Sequence, residues 1–262
     1  MPLLHAAILG VIQGLTEVFP ISSSAHLVII PWLLGWRYQG VTFDVALHIG
    51  TALAFLAYFS GDWVKLIGAF FKKNKSAGDN LFGYIIVGTI PAGVAGLLLE
   101  KKADQVFRSP KLILSAMAVF AVVLWLADRF GKKAKSIDQI NLSAAIKIGC
   151  AQILALVPGV SRSGITITAG LAEGFSREAS ARFTFLLATP IVFAAGVLKL
   201  HKLHAGDFNT AFWAGVAASA ISGFFAIKFF LIFVKRFSLN IFVIYRIAAA
   251  VFLLFVIFMR HG

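Results

Sequence analysis

The chain has 262 residues, 60% of them hydrophobic and 13% charged, with a formal net charge of +13. Soluble domains run at about 45–50% apolar and about 25% charged, so one core cannot enclose this apolar surplus and lipid must solvate part of it. The basic residues sit mainly between apolar stretches, as Lys72, Lys73, Lys75 and Lys132, Lys133, Lys135 show; that is topology signal and headgroup attraction, and it leaves no separate basic domain for nucleic acid. Cys150 stands alone, which excludes an intramolecular disulfide and a cysteine metal cluster.

In chain order, the first region, about 2–35, is apolar but broken at Pro20-Ile21-Ser22-Ser23-Ser24. It lacks a basic leading segment, and Gln13 and Glu17 interrupt it, so a cleaved signal peptide is not expected. Three stretches able to span about 30 Å of hydrocarbon follow, at roughly 43–59, 82–99 and 112–128. A second broken region, about 141–173, is interrupted at Pro158-Gly159-Val160-Ser161-Arg162-Ser163. Three further spans are expected at roughly 183–198, 210–232 and 240–258.

The two broken regions resemble each other. Gly10-x-x-Gln13 matches Gly149-x-x-Gln152, and Ser22-x-Ser24 matches Ser161-x-Ser163, at one offset of 139 residues (161 − 22). The expected fold is an all-α polytopic membrane protein, one membrane domain over 1–262, with internal repeats 1–135 and 136–262. Each repeat is a re-entrant broken-helix hairpin followed by three transmembrane helices. An odd number of spans per repeat inverts the second against the first, and broken helices in such a plan mark the site. Placing loops 60–81 and 129–140, with Lys65, Lys72, Arg129 and their neighbours, in the cytoplasm satisfies the positive-inside rule, against the outer cluster Lys101, Lys102, Arg108 and Lys111. Both termini are then expected outside.

Ionisable groups within the membrane are functional candidates by default. Gln13 and Glu17 lie four apart and share a helix face. Ser22, Ser23, Ser24 and His26 follow at the break, where hydroxyls can cap a helix and its free N–H groups can bind an anion. A hydroxyl beside an imidazole also supplies a nucleophile with a base or acid. In the second break Arg162 stands among Ser161, Ser163 and Thr166; a guanidinium fork suits phosphate oxygens. Together the breaks suit an anionic phosphate ester whose apolar tail stays in lipid.

The segment Gln13-Gly14-Leu15-Thr16-Glu17-Val18-Phe19-Pro20-Ile21-Ser22-Ser23-Ser24-Ala25-His26 resembles the first signature of bacterial undecaprenyl-pyrophosphate phosphatases of the bacitracin-resistance type. Pro158-Gly159-Val160-Ser161-Arg162-Ser163-Gly164 resembles the second, and the likeness covers essentially the whole chain. The resemblance implies hydrolysis of undecaprenyl pyrophosphate to undecaprenyl phosphate and phosphate. The site would open toward the outer face of the bacterial cytoplasmic membrane. It implies dependence on a divalent cation, Ca²⁺ or Mg²⁺, with Glu17 as a metal ligand. Gln13 stands where the family has Glu or Gln, so any cation there meets less charge. Carried over by position, Glu17, Ser23, His26 and Arg162 match the catalytic set, and Gln13, Ser22, Ser161, Ser163 and Thr166 the phosphate pocket. Ser23 or a bound water is the expected nucleophile, with His26 as base or acid.

The architecture also fits a transporter that flips polyprenyl phosphate, although transport has no need of a nucleophile beside a base. Oligomeric state, a homodimer included, stays open. His48 is expected to bond a neighbouring helix, Asp44 to mark a span entrance, and Tyr245 and Arg246 to pair within the second half. His201 and His204, with Lys199 and Lys202, read as a solvated loop.

Overall fold

A computed structural model describes residues 1–37, 40–72, 78–106, 109–200 and 205–261. Lys73, Lys75, Arg108, His201, Lys202 and His204 lie outside the described residues. The helices are α1 (Leu3–Val18), α2 (Ser23–Leu33), α3 (Val41–Tyr58), α4 (Ser60–Phe70), α5 (Leu81–Val106) and α6 (Pro110–Phe130), then α7 (Leu142–Gln152), α8 (Arg162–Ala172), α9 (Arg177–Leu200), α10 (Thr210–Arg236) and α11 (Asn240–His261). Among the described residues the only β pairing is an isolated bridge between Lys135 and Phe175.

Five helices are long and apolar enough to cross a membrane: Leu81–Leu99, Pro110–Phe130, Arg177–Gly196, Thr210–Arg236 and Asn240–Met259. A sixth crossing is available if α3 and α4, bent by 66° at their junction, count as one. Five of the six expected spans fall within these, and 183–198 runs two residues past Gly196 while staying inside α9. The chain is a multi-pass membrane protein.

At 16, 11, 11 and 11 residues, α1, α2, α7 and α8 are each shorter than the roughly 20 residues a crossing needs. They form two broken pairs. Between α1 and α2, Pro20 offers no N–H to continue the helix. Between α7 and α8 the chain tightens into a 3-10 turn at Ile153–Leu156 and then passes Gly159, whose φ is +97°. Nothing but glycine fits there, because a Cβ would lie 2.2 Å from the Ile113 carbonyl oxygen. Lys147 of α7 bonds the Glu173 carboxylate just past α8 at 2.9 Å, so the pair folds back on itself.

Small residues let the broken helices approach the spans closely. The buried face of α1 runs Ala6, Leu9, Gly10, Gln13, Gly14, Glu17, one stripe at helical spacing. It lies on α10, where a Cβ at Gly10 would stand 2.5 Å from the Gly215 carbonyl oxygen. In the second half Gly149 of α7 meets Gly88 of α5, where a Cβ would stand 2.1 Å from the Gly88 oxygen. Phe55, Phe59, Phe185 and Phe230 fill the centre between α3, α9 and α10 with rings 5.7–6.4 Å apart. At one end of the bundle, buried Asp128 accepts Arg177 Nε at 2.5 Å and the Leu239 N–H at 3.0 Å, which joins α6, α9 and the start of α11.

Candidate active site

The end of α1 and the starts of α2 and α8 converge on a cavity of about 360 Å³. It is lined by Glu17, Ser22, Ser23 and Ser24 from the first break and Ser161, Arg162 and Ser163 from the second. Asp44, Val45 and His48 of α3, Gln152 of α7, Ala92 of α5, and Ile191 and Val192 of α9 also line it.

Glu17, 7% exposed, is the hub. Its Oε2 accepts Gln13 Nε2 at 3.0 Å and a short hydrogen bond from Ser23 Oγ, and its Oε1 takes a short ion-paired contact from Arg162 Nη2. The expected pairing of Gln13 with Glu17 on one face is present, although Gln13 sits behind the carboxylate and does not line the cavity. The two breaks are fastened directly: Ser163 Oγ donates to the Phe19 carbonyl at 3.1 Å. Ser161 caps α8 by accepting the Gly164 N–H at 3.1 Å. Ser22, at the head of α2, makes no such cap bond, which leaves the first-turn N–H groups of that helix available to an anion.

Besides Gln13, two further expected site residues are placed elsewhere. His26 does not line the cavity. Its Nδ1 bonds the Ser22 carbonyl at 2.7 Å, which makes Nδ1 the donor, and its Nε2 then accepts from Tyr245 Oη at 2.7 Å. Both ring nitrogens are committed to bracing the first break. Thr166, 1% exposed, donates to the Arg162 carbonyl at 2.8 Å and accepts from Thr184 at 3.0 Å, away from the cavity.

The imidazole that does face the carboxylate belongs to His48. Its Nδ1 donates to the Asp44 carbonyl at 2.7 Å, one turn back on α3, and its Nε2 stands 3.7 Å from Glu17 Oε2. The backbone bond fixes the tautomer and leaves Nε2 to the site. A histidine within an apolar span was the signal available in sequence.

Arg246 has a different destination from the one expected. It is fully buried and donates to four carbonyls, Met117 at 3.1 Å, Pro20 at 3.3 Å, Gly159 at 2.8 Å and Val160 at 3.0 Å. It thus clamps both breaks to α6 from α11, while its neighbour Tyr245 serves His26.

Among the described residues no group of three or more His, Cys, Asp or Glu side chains is placed to hold a metal ion. The side chains present along the cavity, Glu17, Asp44 and the serine hydroxyls, offer hard oxygens. They fit a Ca²⁺ or Mg²⁺ held chiefly by substrate phosphates with one or two protein carboxylates.

Comparison with known proteins points to one family. A profile described as bacitracin resistance protein BacA matches residues 6–252. An undecaprenyl-diphosphatase of Moorella thermoacetica is 46% identical over 261 residues, covering 100% of both chains. Proteins of the same name from Pelotomaculum thermopropionicum (47% identity, 95% of this chain and 94% of the relative) and Trichlorobacter lovleyi (49%, 96% of each) are similarly close. With both signature segments lining one cavity and the match running nearly end to end, the chain belongs to the bacitracin resistance protein BacA family.

Proposed function

We propose that this chain is an undecaprenyl-pyrophosphate phosphatase, hydrolysing the lipid pyrophosphate to undecaprenyl phosphate and inorganic phosphate and so recycling the carrier for peptidoglycan synthesis. The observation that carries the reading is Ser23 and Arg162 meeting on the two oxygens of Glu17, each from a different break. Phosphoryl transfer asks chiefly for position and charge stabilisation, and this arrangement supplies both.

In this reading Ser23 Oγ attacks the terminal phosphorus and its proton passes to Glu17 Oε2, to which it is already bonded. The bond from that phosphorus to the bridging oxygen breaks, and the lipid monophosphate leaves. Arg162 spreads the charge on the equatorial oxygens, with the first-turn N–H groups of α2. His48 Nε2 takes the role expected of His26, moving a proton between Glu17, the leaving oxygen and the water that later hydrolyses the phosphoserine. A bound divalent cation, held by Glu17, would neutralise pyrophosphate charge.

The paired glycine contacts, Gly10 on α10 and Gly149 on α5, support two inverted repeats, each lending its hairpin to a span of the other. Basic residues around α4, the end of α6 and the start of α9 support a cytoplasmic setting for that end. The cavity would then open outward from the cytoplasmic membrane, where the pyrophosphate is released.

The test is phosphate release from a polyprenyl pyrophosphate by detergent-purified protein, with chelator and with added Ca²⁺ or Mg²⁺. Cation-dependent release, lost in Arg162→Ala, is expected. Lipid bound tightly with no release under either cation would move the reading to transport.

A further inference from the structure

Gln152 ends α7, directly before the chain tightens toward the second break. Its side chain is 3% exposed and lines the same cavity as Glu17, Ser23 and Arg162. Neither its Nε2 nor its Oε1 has a hydrogen-bond partner. A buried amide with both ends unsatisfied is costly to fold, and native proteins pair nearly all such groups. An apolar side chain of the same size would fold better here, so the amide is explained by something that occupies the cavity.

The position has a counterpart. Gln13 stands 139 residues earlier (152 − 13), at the matching place in the first broken region. It spends Nε2 on the Glu17 carboxylate and keeps Oε1 unpartnered. Four residues beyond Gln152, where the first half has Glu17, the second has Leu156. Gln152 therefore has no neighbouring acid to consume its donor, and Nε2 is left for a ligand.

We infer that Gln152 is a substrate-binding residue that donates Nε2–H to a non-bridging oxygen of the pyrophosphate group, on the α7 flank of the cavity. Its Oε1 accepts from a phosphate hydroxyl or from water held there. This rests on the phosphatase reading for the identity of the ligand, though any pyrophosphate in the cavity meets the same donor. An uncharged donor suits this place, because Arg162 already supplies the fixed positive charge and a second cation would bind substrate and transition state alike.

The experiment compares wild type, Gln152→Leu and Gln152→Glu, as full-length protein in detergent. It measures phosphate release from a polyprenyl pyrophosphate and thermal unfolding with and without inorganic pyrophosphate. Leucine removes the unsatisfied amide, so the Leu variant is expected to melt at or above the wild-type temperature without ligand. It is expected to lose most of the pyrophosphate-induced shift and to show KM raised by about 10- to 100-fold. The Glu variant, with a carboxylate set against the phosphates, is expected to bind still more weakly. A Leu variant that melts lower while keeping wild-type KM and the full pyrophosphate shift would assign Gln152 a structural role and overturn the inference. Wild-type KM in the Glu variant would overturn it whether or not the Leu variant folds. The phosphatase reading fails separately, if wild type shows the pyrophosphate shift but releases no phosphate.

Discussion

Ser22 and Ser161 share a left-handed backbone, φ +74° and +72°, each at the residue that opens the helix after a break. Of the described residues only Lys133 also has positive φ without being glycine. The likeness extends to the side chains: Ser22 Oγ lies 3.2 Å from Ser24 Oγ, and Ser161 Oγ lies 3.2 Å from Ser163 Oγ. Such a backbone costs an L-residue roughly 1–2 kcal/mol, and strain of this kind gathers at functional sites. Here it turns a helix start and its hydroxyls into the cavity.

Ser22→Gly relieves that strain and sacrifices no cap bond. It is expected to raise stability by about 1 kcal/mol while lowering kcat/KM about tenfold through loss of a cavity hydroxyl. Ser161→Gly keeps the backbone but loses the bond to Gly164, so its gain should be smaller. Thermal unfolding and phosphate release on the same samples check both halves, and a Ser22→Gly protein that melts lower would contradict the account of strain.

Glu17 and Arg162 are expected to behave as one unit. Each of Glu17→Gln and Arg162→Ala should cost about 10²–10³ in kcat, and the double variant little more than the worse single. Stability should also couple, by about 0.5–3 kcal/mol in a double-mutant cycle, since removing one partner leaves the other charge poorly solvated. Arg162→Lys keeps the charge without the planar fork, so its turnover should fall between wild type and alanine. Independent, additive losses would argue that the pair has no joint catalytic role.

The two histidines should separate cleanly. His48→Ala is expected to lower kcat about 10²-fold with a small change in melting temperature, because its one hydrogen bond is to its own helix. His26→Ala removes the side-chain bonds to the Ser22 carbonyl and Tyr245 Oη, and should cost about 1–3 kcal/mol of stability. Tyr245→Phe should reproduce part of the His26 loss and none of the His48 loss. Full turnover in His48→Ala would return the proton-transfer role to another group.

Close helix contact makes a parallel prediction for glycine. Gly149→Ala must push α7 away from Gly88 and is expected to cost about 1–3 kcal/mol. Gly96→Ala, in α5 with nothing within 4 Å of its added methyl, should be neutral or stabilising by up to about 1 kcal/mol. Unfolding in detergent distinguishes the two.

Apolar length and interruption are local properties, and they were legible in the sequence. Five spans, with a sixth if α3 and α4 count as one, two short broken regions and the Pro-Gly-Ser breaks follow from which residues lipid can solvate and which cannot continue a helix. Glu17, Ser23 and Arg162 could be named because few ionisable or nucleophilic groups stand at those breaks. What the sequence could not supply is which partner each polar group meets across helices. His26 and His48 are both histidines in apolar surroundings; only the packing of α3 beside α1 turns His48 toward Glu17, while α11 takes up His26 through Tyr245. Thr166 lies in the signature yet spends its hydroxyl on Arg162 and Thr184. Arg246 had no visible partner in the linear chain, because its acceptors are four carbonyls from three separate segments. Backbone carbonyls carry no sequence signature, so only the tertiary structure, by gathering them at one point, could decide where that charge goes.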